Sequence, residues 1–381
     1  MRPSVLVLGV PVDDVTMDEA VDDIARFVRD GRAEGRSYQV TTVNLDFVTN
    51  AVRDREVMGL LQRAELSIPD GMPIIWGARL LGSPLRTRVT GADLVDALVG
   101  RASTEGWTVY LFGAGPGVAE KAARLLLERH PGATVIGDSG PMISADGDMD
   151  PVALDRIRAA RPDIVCVALG NPKQERWIAR HAGQLGIPVA IGVGGTFDFL
   201  VGLRRRAPLW MQRAGLEWVY RAIQEPARLG PRYALDAAVC GPRFAAQLWR
   251  RRRPRRRGST EAPWSPATIE QGDGTELRVE AHRCLDVRRD GGLAGLQLGR
   301  AECVEIDVGS IDDPDARIVE TLVSLARGVA GPARLLGARP ALRERLVEAH
   351  VVDLFEWSDH RRRSISPRST GQRADSETPQ R

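Results

Sequence analysis

Residues 163–195 have the sequence DIVCVALGNPKQERWIARHAGQLGIPVAIGVGG, and they indicate the fold class. It begins with a near-continuous apolar run (163–170), continues through a helical segment (173–186) and ends in a second apolar run (188–194). Strands that are apolar along their whole length are typical of a parallel sheet that is covered by helices on both faces. The stretch therefore predicts one strand–helix–strand unit of an α/β fold.

The residues upstream repeat this alternation of strand and helix. Apolar runs predict strands at 4–9, 38–43, 64–68 and 107–113, and amphipathic spacing predicts helices at 45–52 and 118–130. Thr16 is followed three residues later by Glu19, a capping box that marks the start of a further helix. The run at 4–9 is short for a signal peptide and is interpreted as the first buried strand. We expect a mostly parallel, Rossmann-like sheet with helices on both faces.

The domain plan follows from length and from two changes in composition. The chain has 381 residues, whereas one domain typically has about 100–200. Residues 203–249 are rich in arginine, tryptophan and tyrosine and have a helical pattern, although Pro242 argues against one continuous amphipathic helix. The predicted plan is an α/β core at 1–200, a basic helical appendage at 201–257 (membrane or substrate lid), a linker at 258–275, a small α/β domain at 276–360 and a disordered tail at 361–381.

Composition excludes several classes of protein. The chain is 43% hydrophobic and 27% charged, as in soluble globular proteins. Its formal net charge of +3 is too small by itself to mark a nucleic-acid binder. The four cysteines share no C-x-x-C spacing and the five histidines are scattered, so we predict neither a metal site nor a cofactor. The longest apolar stretch, 188–203, falls short of the ~20 residues that span a bilayer, so we expect a cytoplasmic protein with peripheral membrane contact.

Ligands of an open parallel sheet bind at the carboxyl ends of its strands, and four such ends carry polar or glycine-rich residues. TVN (42–44) follows the second strand, where Asn44 either lines a pocket or caps the next helix. PDG (69–71) follows the third strand. Asp70 is either an ordinary helix cap or a general base that the helix dipole keeps ionised.

The other two strand ends favour a ligand that carries phosphate or sugar. GAGPG (113–117) is a turn whose backbone N–H groups could face a phosphate. Its third glycine comes one residue early for a dinucleotide fingerprint, but Asp138 stands where a ribose-binding acid would, so a nicotinamide enzyme is an alternative. GNPKQE (170–175) places four polar side chains after the most apolar strand, and GGT (194–196) ends the next strand. Together they predict a nucleotide or sugar site.

Seven motifs within residues 38–233 occur in the order that is typical of one family. They are TTVNLDFV, IPDGMPIIWGARLLG, RVTGADL, LFGAGPGVAEKAA, PDIVCVALGNPKQERWI, AIGVGGTFDFLVG and APLWMQRAGLEWVYRAIQEPARLGPRY. Residues 1–245 thereby resemble the WecG/TagA/CpsF glycosyltransferase family. The resemblance implies an inverting, metal-independent enzyme that moves a sugar, with N-acetylmannosamine as first choice, from a UDP-sugar to an undecaprenyl-diphosphate-linked GlcNAc. Its products would serve teichoic acid or other cell-surface polysaccharides.

The resemblance also implies roles for particular residues. Asp70 would deprotonate the acceptor hydroxyl, Thr42 and Asn44 would lie beside the reacting sugars, and Gln174 would lie in the donor pocket. The full predicted substrate-binding set is Gly113, Gly115, Gly117, Asn171, Lys173, Gln174, Gly194, Gly195, Arg221, Arg228 and Arg232. The three arginines would stabilise a diphosphate with fixed donors in place of a metal. The nicotinamide alternative loses because it explains none of the other motifs.

The seven arginines within 250–257 favour an anionic membrane surface as a partner. A solvated helix face and nucleic-acid binding are the alternatives, and the second lacks a recognisable module. No nucleic-acid partner is therefore expected.

Residues 276–358 resemble a STAS domain through VEIDVGSIDDPDARIVETLVSLAR and ARLLGARPALRERLVEAHVVDLFEW. Regulatory STAS domains carry a phosphorylatable Ser or Thr before the helix, where this chain has DDPD (312–315) and Ser310 comes earlier. We therefore expect an interaction module for a protein partner, without the usual phosphoswitch. The alternative function is a regulatory or scaffold protein with an idle transferase core. The joint presence of Thr42, Asn44, Asp70 and Gln174 argues against that alternative.

Overall fold

The computed structural model describes residues 3–141, 143–252, 269–271, 276–280, 303–309, 311, 314, 316–329 and 331–358. The elements up to residue 252 are β1 (Ser4–Val7), β2 (Val10–Asp13), α1 (Met17–Glu34), β3 (Tyr38–Val43), α2 (Leu45–Arg53), α3 (Arg55–Arg63), β4 (Leu66–Pro69), α4 (Met72–Leu80), α5 (Gly91–Glu105), β5 (Thr108–Gly113), α6 (Val118–Arg129), β6 (Thr134–Asp138), α7 (Pro151–Ala160), β7 (Ile164–Ala168), α8 (Lys173–His181), β8 (Val189–Gly192), α9 (Thr196–Leu200), α10 (Leu209–Arg213), α11 (Glu217–Gln224) and α12 (Pro226–Arg252). The later elements are β9 (Ile269–Gln271), β10 (Glu276–Glu280), β11 (Cys303–Asp307), α13 (Ala316–Arg327), β12 (Ala333–Leu336), α14 (Pro340–Glu348), a 3₁₀ turn (Val352–Leu354) and β13 (Phe355–Ser358).

The main sheet has six parallel strands in the order β4-β3-β8-β7-β5-β6, which confirms the predicted fold class. The stretch 163–195 supplies the two central strands β7 and β8, joined by α8. Alternate residues of β7 pack on opposite faces: Ile164 and Cys166 lie in an apolar cluster with α1, α5 and α6, whereas Val165 and Val167 pack with α7 and α8. Both faces are therefore covered, as continuous apolar strands require.

The predicted capping box at the start of α1 is confirmed. Thr16 Oγ1 accepts a hydrogen bond from the Glu19 N–H, and the Glu19 carboxylate accepts one from the Thr16 N–H. The backbone N–H groups of Thr16 and Glu19 thereby both find hydrogen-bond acceptors at the start of the helix.

The first apolar run forms a strand, but that strand does not belong to the main sheet. β1 pairs antiparallel with β2, with Ser4 opposite Asp13, in a separate two-stranded hairpin. Leu8 and Gly9 have φ angles of 50° and 90°, so the chain reverses within two residues. An apolar run shows that a segment is buried, but it does not show which strand lies beside it.

The appendage contains one long helix, and the expectation that Pro242 breaks it is wrong. α12 runs from Pro226 to Arg252 with Pro231 and Pro242 inside it. A proline within a helix costs about 3 kcal/mol. Tertiary packing offsets this cost, because Val239, Cys240, Phe244 and Leu248 join the apolar cluster formed by α2, α4 and the β1–β2 hairpin.

A second sheet, in the order β13-β12-β11-β10-β9, forms what we call the C-terminal module (described residues of 269–358). Four strands are parallel, and β9 pairs antiparallel with β10 at the edge. β9 lies inside the predicted linker, so the module begins earlier than residue 276. Helices α13 and α14 pack on this sheet in one apolar cluster. The STAS resemblance stays a prediction, since Ser310 and three of the four residues 312–315 lie outside the described residues, as do 253–268 and 359–381.

Among the described residues, we find no helix that combines the length and the apolar character needed to cross a membrane.

Candidate active site

A cavity of about 560 Å³ lies at the carboxyl ends of five parallel strands, below helices α11 and α12. The ends of β3, β4, β5, β7 and β8 all contribute to its wall, as the sheet topology predicts. The cavity brings together most of the predicted site residues, namely Thr42, Asn44, Asp70, Gly115, Asn171, Gly194, Gly195, Arg221, Arg228 and Arg232. Four predicted residues do not line it: Gly113, Gly117, Lys173 and Gln174.

Asp70 lies in the cavity wall at the end of β4. Its N–H donates to Val43 O across 2.9 Å, which fixes the backbone against β3. The cap position of α4 belongs to Gly71, with no side-chain cap, so the ordinary helix-cap interpretation of Asp70 is wrong. Burial raises the pKa of the Asp70 carboxyl to about 7, although Arg88 and Arg221 oppose this increase. A carboxyl group of that pKa is suited to proton transfer near neutral pH.

The other carboxylates of the cavity have partners of their own or are closed off. Ion pairs join Asp46 to Arg232 (2.9 Å), Asp198 to Arg204 (3.2 Å) and Glu217 to Arg88 (2.8 Å). Asp236 is only 2% exposed. Asp70 makes no ion pair with any residue in the described part of the chain, and the Gly91 N–H is the backbone donor that acts on its carboxyl group.

Thr42 and Asn44 lie beside Asp70 at the neighbouring strand end. The Thr42 hydroxyl donates to Gly192 O (2.8 Å), so it can offer the cavity only its acceptor lone pairs. The Asn44 side-chain oxygen accepts from the N–H groups of Asp46 and Phe47 and caps α2. Both interpretations of Asn44 therefore hold, because the same residue caps a helix and lines the cavity.

Gln174 is fully buried and acts behind the cavity wall. Its Oε1 accepts from the Gly194 N–H (3.0 Å), and its Nε2 donates to Glu175 Oε1 (2.8 Å). The other Glu175 oxygen accepts from Asn171 Nδ2 (2.8 Å). The buried carboxylate of Glu175 thus fixes the side-chain amide of Asn171, which lines the cavity. Through Gln174 it also fixes the turn at Gly194. Burial raises the pKa of Glu175 to about 7, while its two amide donors oppose this.

Lys173, Gly113 and Gly117, which were predicted to bind substrate, do not face the cavity. Lys173 Nζ donates to Ile143 O (3.2 Å) on the side of α7 and the preceding loop. Gly113 and Gly117 have φ angles of 96° and 74°, so they shape the turn that presents Gly115 without lining the cavity themselves.

Asp138 lies outside the cavity lining. Its carboxylate accepts from the Tyr110 hydroxyl (2.8 Å) and from the Gly140 N–H (2.8 Å). Arg156 donates to it as well (3.2 Å). The Asp138 carboxylate, which suggested a ribose-binding acid, is therefore hydrogen-bonded to groups of the protein itself.

Sequence reasoning missed three arginines of the cavity: Arg88, Arg204 and Arg206. Arg88 lies in the RVTGADL motif, and the other two belong to the run RRR (204–206), so both signals were present in the sequence. Arg206 is held by Asp93 (2.8 Å) and by Thr90 Oγ1 (3.0 Å). With Arg221, Arg228 and Arg232 they give the cavity six guanidinium groups, a donor set suited to phosphate oxygens.

The glycosyl transferase WecG/TagA/CpsF family profile matches residues 5–258, which is the chain from β1 to just beyond α12. The chain is also similar to the N-acetylglucosaminyldiphosphoundecaprenol N-acetyl-beta-D-mannosaminyltransferases of Staphylococcus aureus strains MW2 and NCTC 8325. Each is 30% identical over 224 residues, which cover 59% of this chain and 86% of the relative. The matched span contains the whole cavity. The chain therefore belongs to the WecG/TagA/CpsF family and is a glycosyltransferase of cell-surface polysaccharide synthesis.

Proposed function

We propose that the chain is an inverting, metal-independent transferase that moves N-acetylmannosamine from its UDP-sugar to an undecaprenyl-diphosphate-linked GlcNAc. The names of the staphylococcal relatives specify that sugar and that lipid for those proteins. The observation that carries the proposal is Asp70, a carboxyl group with a raised pKa in a cavity rich in arginine.

In the proposed reaction Asp70 takes the proton of the acceptor hydroxyl. The hydroxyl oxygen then forms a bond to the anomeric carbon of the donor sugar, while the bond from that carbon to the UDP oxygen breaks. The electron pair leaves with UDP, and the anomeric configuration inverts because attack comes from the opposite side. A positioned general base typically contributes ~10²–10⁴-fold to the rate.

The leaving UDP keeps the electron pair of the broken bond, so its diphosphate gains one negative charge that needs fixed donors. Arg221 supports this role because it makes a cation–π contact with Phe199 (4.9 Å), which holds its guanidinium in the cavity wall. Arg228 and Arg232 come from the next helix and are held by Glu225 and Asp46. Such preorganised charges stabilise a developing anion without reorganising during the reaction.

Helices α10 and α11 carry exposed apolar side chains that could contact a membrane in which the acceptor is embedded. We therefore propose that the protein binds peripherally to an anionic inner leaflet. Leu209, Trp210 and Ile223 are 69%, 65% and 71% exposed on α10 and α11, beside the cavity. Aromatic and aliphatic side chains of this kind insert at the interface of a bilayer. Full-length protein should float with vesicles of phosphatidylglycerol and less with phosphatidylcholine vesicles. Equal flotation with both would refute an electrostatic contribution.

The test of the proposed function is a UDP-release assay with the full-length chain. The acceptor is a short-lipid GlcNAc-diphosphate, and the donors are the UDP forms of N-acetylmannosamine, its uronic acid, glucose and galactose. We expect release that requires both the acceptor and UDP-N-acetylmannosamine. Asp70→Asn should abolish turnover but retain UDP binding, whereas Asp138→Asn, at a strand end outside the cavity, should retain turnover. Wild-type turnover in Asp70→Asn would refute the base assignment.

A further inference from the structure

One buried arginine of the C-terminal module makes several contacts with the transferase core. Arg327 lies in the last turn of α13, and its side chain is 5% exposed. Its guanidinium makes a two-pronged ion pair with Asp13 at the end of β2, at 2.8 and 3.0 Å. The Asp13 side chain is 4% exposed, so both charges are removed from water. A buried pair of this kind depends strongly on both partners being present.

The same guanidinium reaches the segment that leads to Asp70. It donates to Ala64 O twice, at 2.9 and 2.7 Å, and to Ser67 Oγ at 3.1 Å. Ala64 is the C-cap that follows α3, and Ser67 lies inside β4. One side chain of the module thus holds both ends of the turn between α3 and the catalytic strand.

β4 needs such support because it is the edge strand of the main sheet. The Ser67 N–H has no strand to pair with on the outer side and donates instead to Asp13 Oδ2 (2.7 Å). Pro69, two residues later on the same side, has no N–H at all. The outer edge of a four-residue strand is therefore held through Asp13, and Asp13 is neutralised by Arg327.

We propose that the C-terminal module is a positioning element of the transferase, in which Arg327 holds the edge strand β4 and thereby the base Asp70 that follows it. Arg327 acts through Asp13 and Ser67, so it is a positioning residue and touches no substrate. The inference rests on the proposed role of Asp70. It adds a function for the part of the chain that lies beyond the family match at 5–258.

The experiment uses full-length protein and compares Arg327→Met with Arg345→Met. Arg345 is a matched control because it lies on α14 of the same module and makes an exposed ion pair with Glu348 (3.0 Å). Relative to the control, Arg327→Met should lower kcat about tenfold or more, since a small displacement of a catalytic group is costly. The donor KM should stay within about twofold, because the donor contacts are unchanged. Deuterium exchange in the 64–71 peptide should be faster in Arg327→Met only.

A double variant, Asp13→Asn with Arg327→Met, separates positioning from stability. It removes both buried charges, so its Tm should recover toward that of the wild type. Its kcat should stay low, because the module no longer holds β4. Recovery of kcat together with Tm would show that Arg327 only stabilises the fold and would overturn the inference. Unchanged exchange at 64–71 in Arg327→Met would also overturn it, independently of any donor. Absent turnover in the wild type would instead refute the proposed function and leave the exchange result to decide the coupling.

Discussion

Asp70 has to be ionised before it can take a proton from the acceptor, and its surroundings decide the pH at which this happens. Burial raises its pKa to about 7, and Arg88 is the largest opposing influence. We therefore expect kcat to rise with pH through about 7 and to level off above it, as measured by initial rates between about pH 5 and pH 9. Arg88→Met should move this rise to higher pH, because it removes a positive charge that lowers the pKa of Asp70. It also removes the ion-pair partner of Glu217, whose negative charge raises that pKa. A flat profile between those limits would contradict the assignment.

The raised pKa of Asp70 also makes the stability of the folded protein depend on pH. The folded state binds the Asp70 proton more tightly than the unfolded state, whose carboxyl group titrates near the ordinary value of 3.8. Stability is therefore lost as pH rises from that value to about 7, because the folded state must ionise a buried group. Asp70→Asn should have a higher Tm than the wild type at about pH 8, and the difference should shrink at about pH 5. Calorimetry at the two pH values checks this, and a lower Tm for the variant at both would contradict it.

Gln174 should matter for catalysis without touching the donor. Gln174→Met keeps the volume but leaves the Gly194 N–H without its acceptor and removes one donor from Glu175. An unsatisfied buried group costs about 1–3 kcal/mol, so we expect a lower Tm and a higher donor KM. Lys173→Met is the matched neighbour, since Lys173 lies outside the cavity lining and donates to Ile143 O. Equal kinetic effects of the two substitutions would rule out this role for Gln174.

At the residue scale the sequence predicted which residues line the cavity where a strand end fixed their position. Thr42, Asn44 and Asp70 follow directly from β3 and β4, whose period and polarity are visible in the chain. Arg88 and Arg204 lie in irregular loops, where no period tells which way a side chain points. Gln174 was placed in the pocket, yet α8 turns it into the interior, one residue before Glu175.

Helix α12 joins two functions, since its first half faces the cavity and its second half packs on the core. Arg232 near its start pairs with Asp46 and has a buried Nε atom with no partner among the described residues. Arg243, further along the same helix, is exposed and donates to Val239 O (2.9 Å). A charge-assisted hydrogen bond is worth about 1.5–3 kcal/mol, so Arg232→Met should weaken UDP binding about 10- to 100-fold. Arg243→Met should leave UDP affinity, measured by calorimetry, unchanged, and equal losses would contradict a local role for Arg232.

At the element scale the sequence predicted five of the six strands of the main sheet, because buried strands are apolar along their length, but it missed the edge strand β6 and the helices α3, α5 and α7. It did not predict the pairing of β1 with β2, which depends on the Leu8–Gly9 turn. It also misjudged Pro242, because propensity is local and the packing of Phe244 and Leu248 on α2 and α4 is not.

The whole molecule combines a family domain with a module that the family match does not include. The family match covers residues 5–258 and ends before the first strand of the C-terminal module. The structure shows contacts that cross this boundary. Leu6 of β1 belongs to the apolar cluster of the C-terminal module, and Gln62 of α3 donates to His350 O (2.6 Å). Arg251 at the end of α12 pairs with Glu320 of α13 (2.6 Å). Contacts between residues so distant in the chain leave no trace in local sequence patterns.

These contacts predict that a chain ending at residue 258 is destabilised although it contains the entire family match. Without α13, Asp13 loses the guanidinium of Arg327, and Ala64 O and Ser67 Oγ lose the same donor. Leu6 would also lose the apolar surface that covers it. The matched control is a chain ending at residue 360, which removes only the predicted tail and should keep the Tm of the full chain. Thermal unfolding of the three chains decides the question: a chain of residues 1–258 that melts with the full-length protein would mean that the transferase core folds and is held without its C-terminal module.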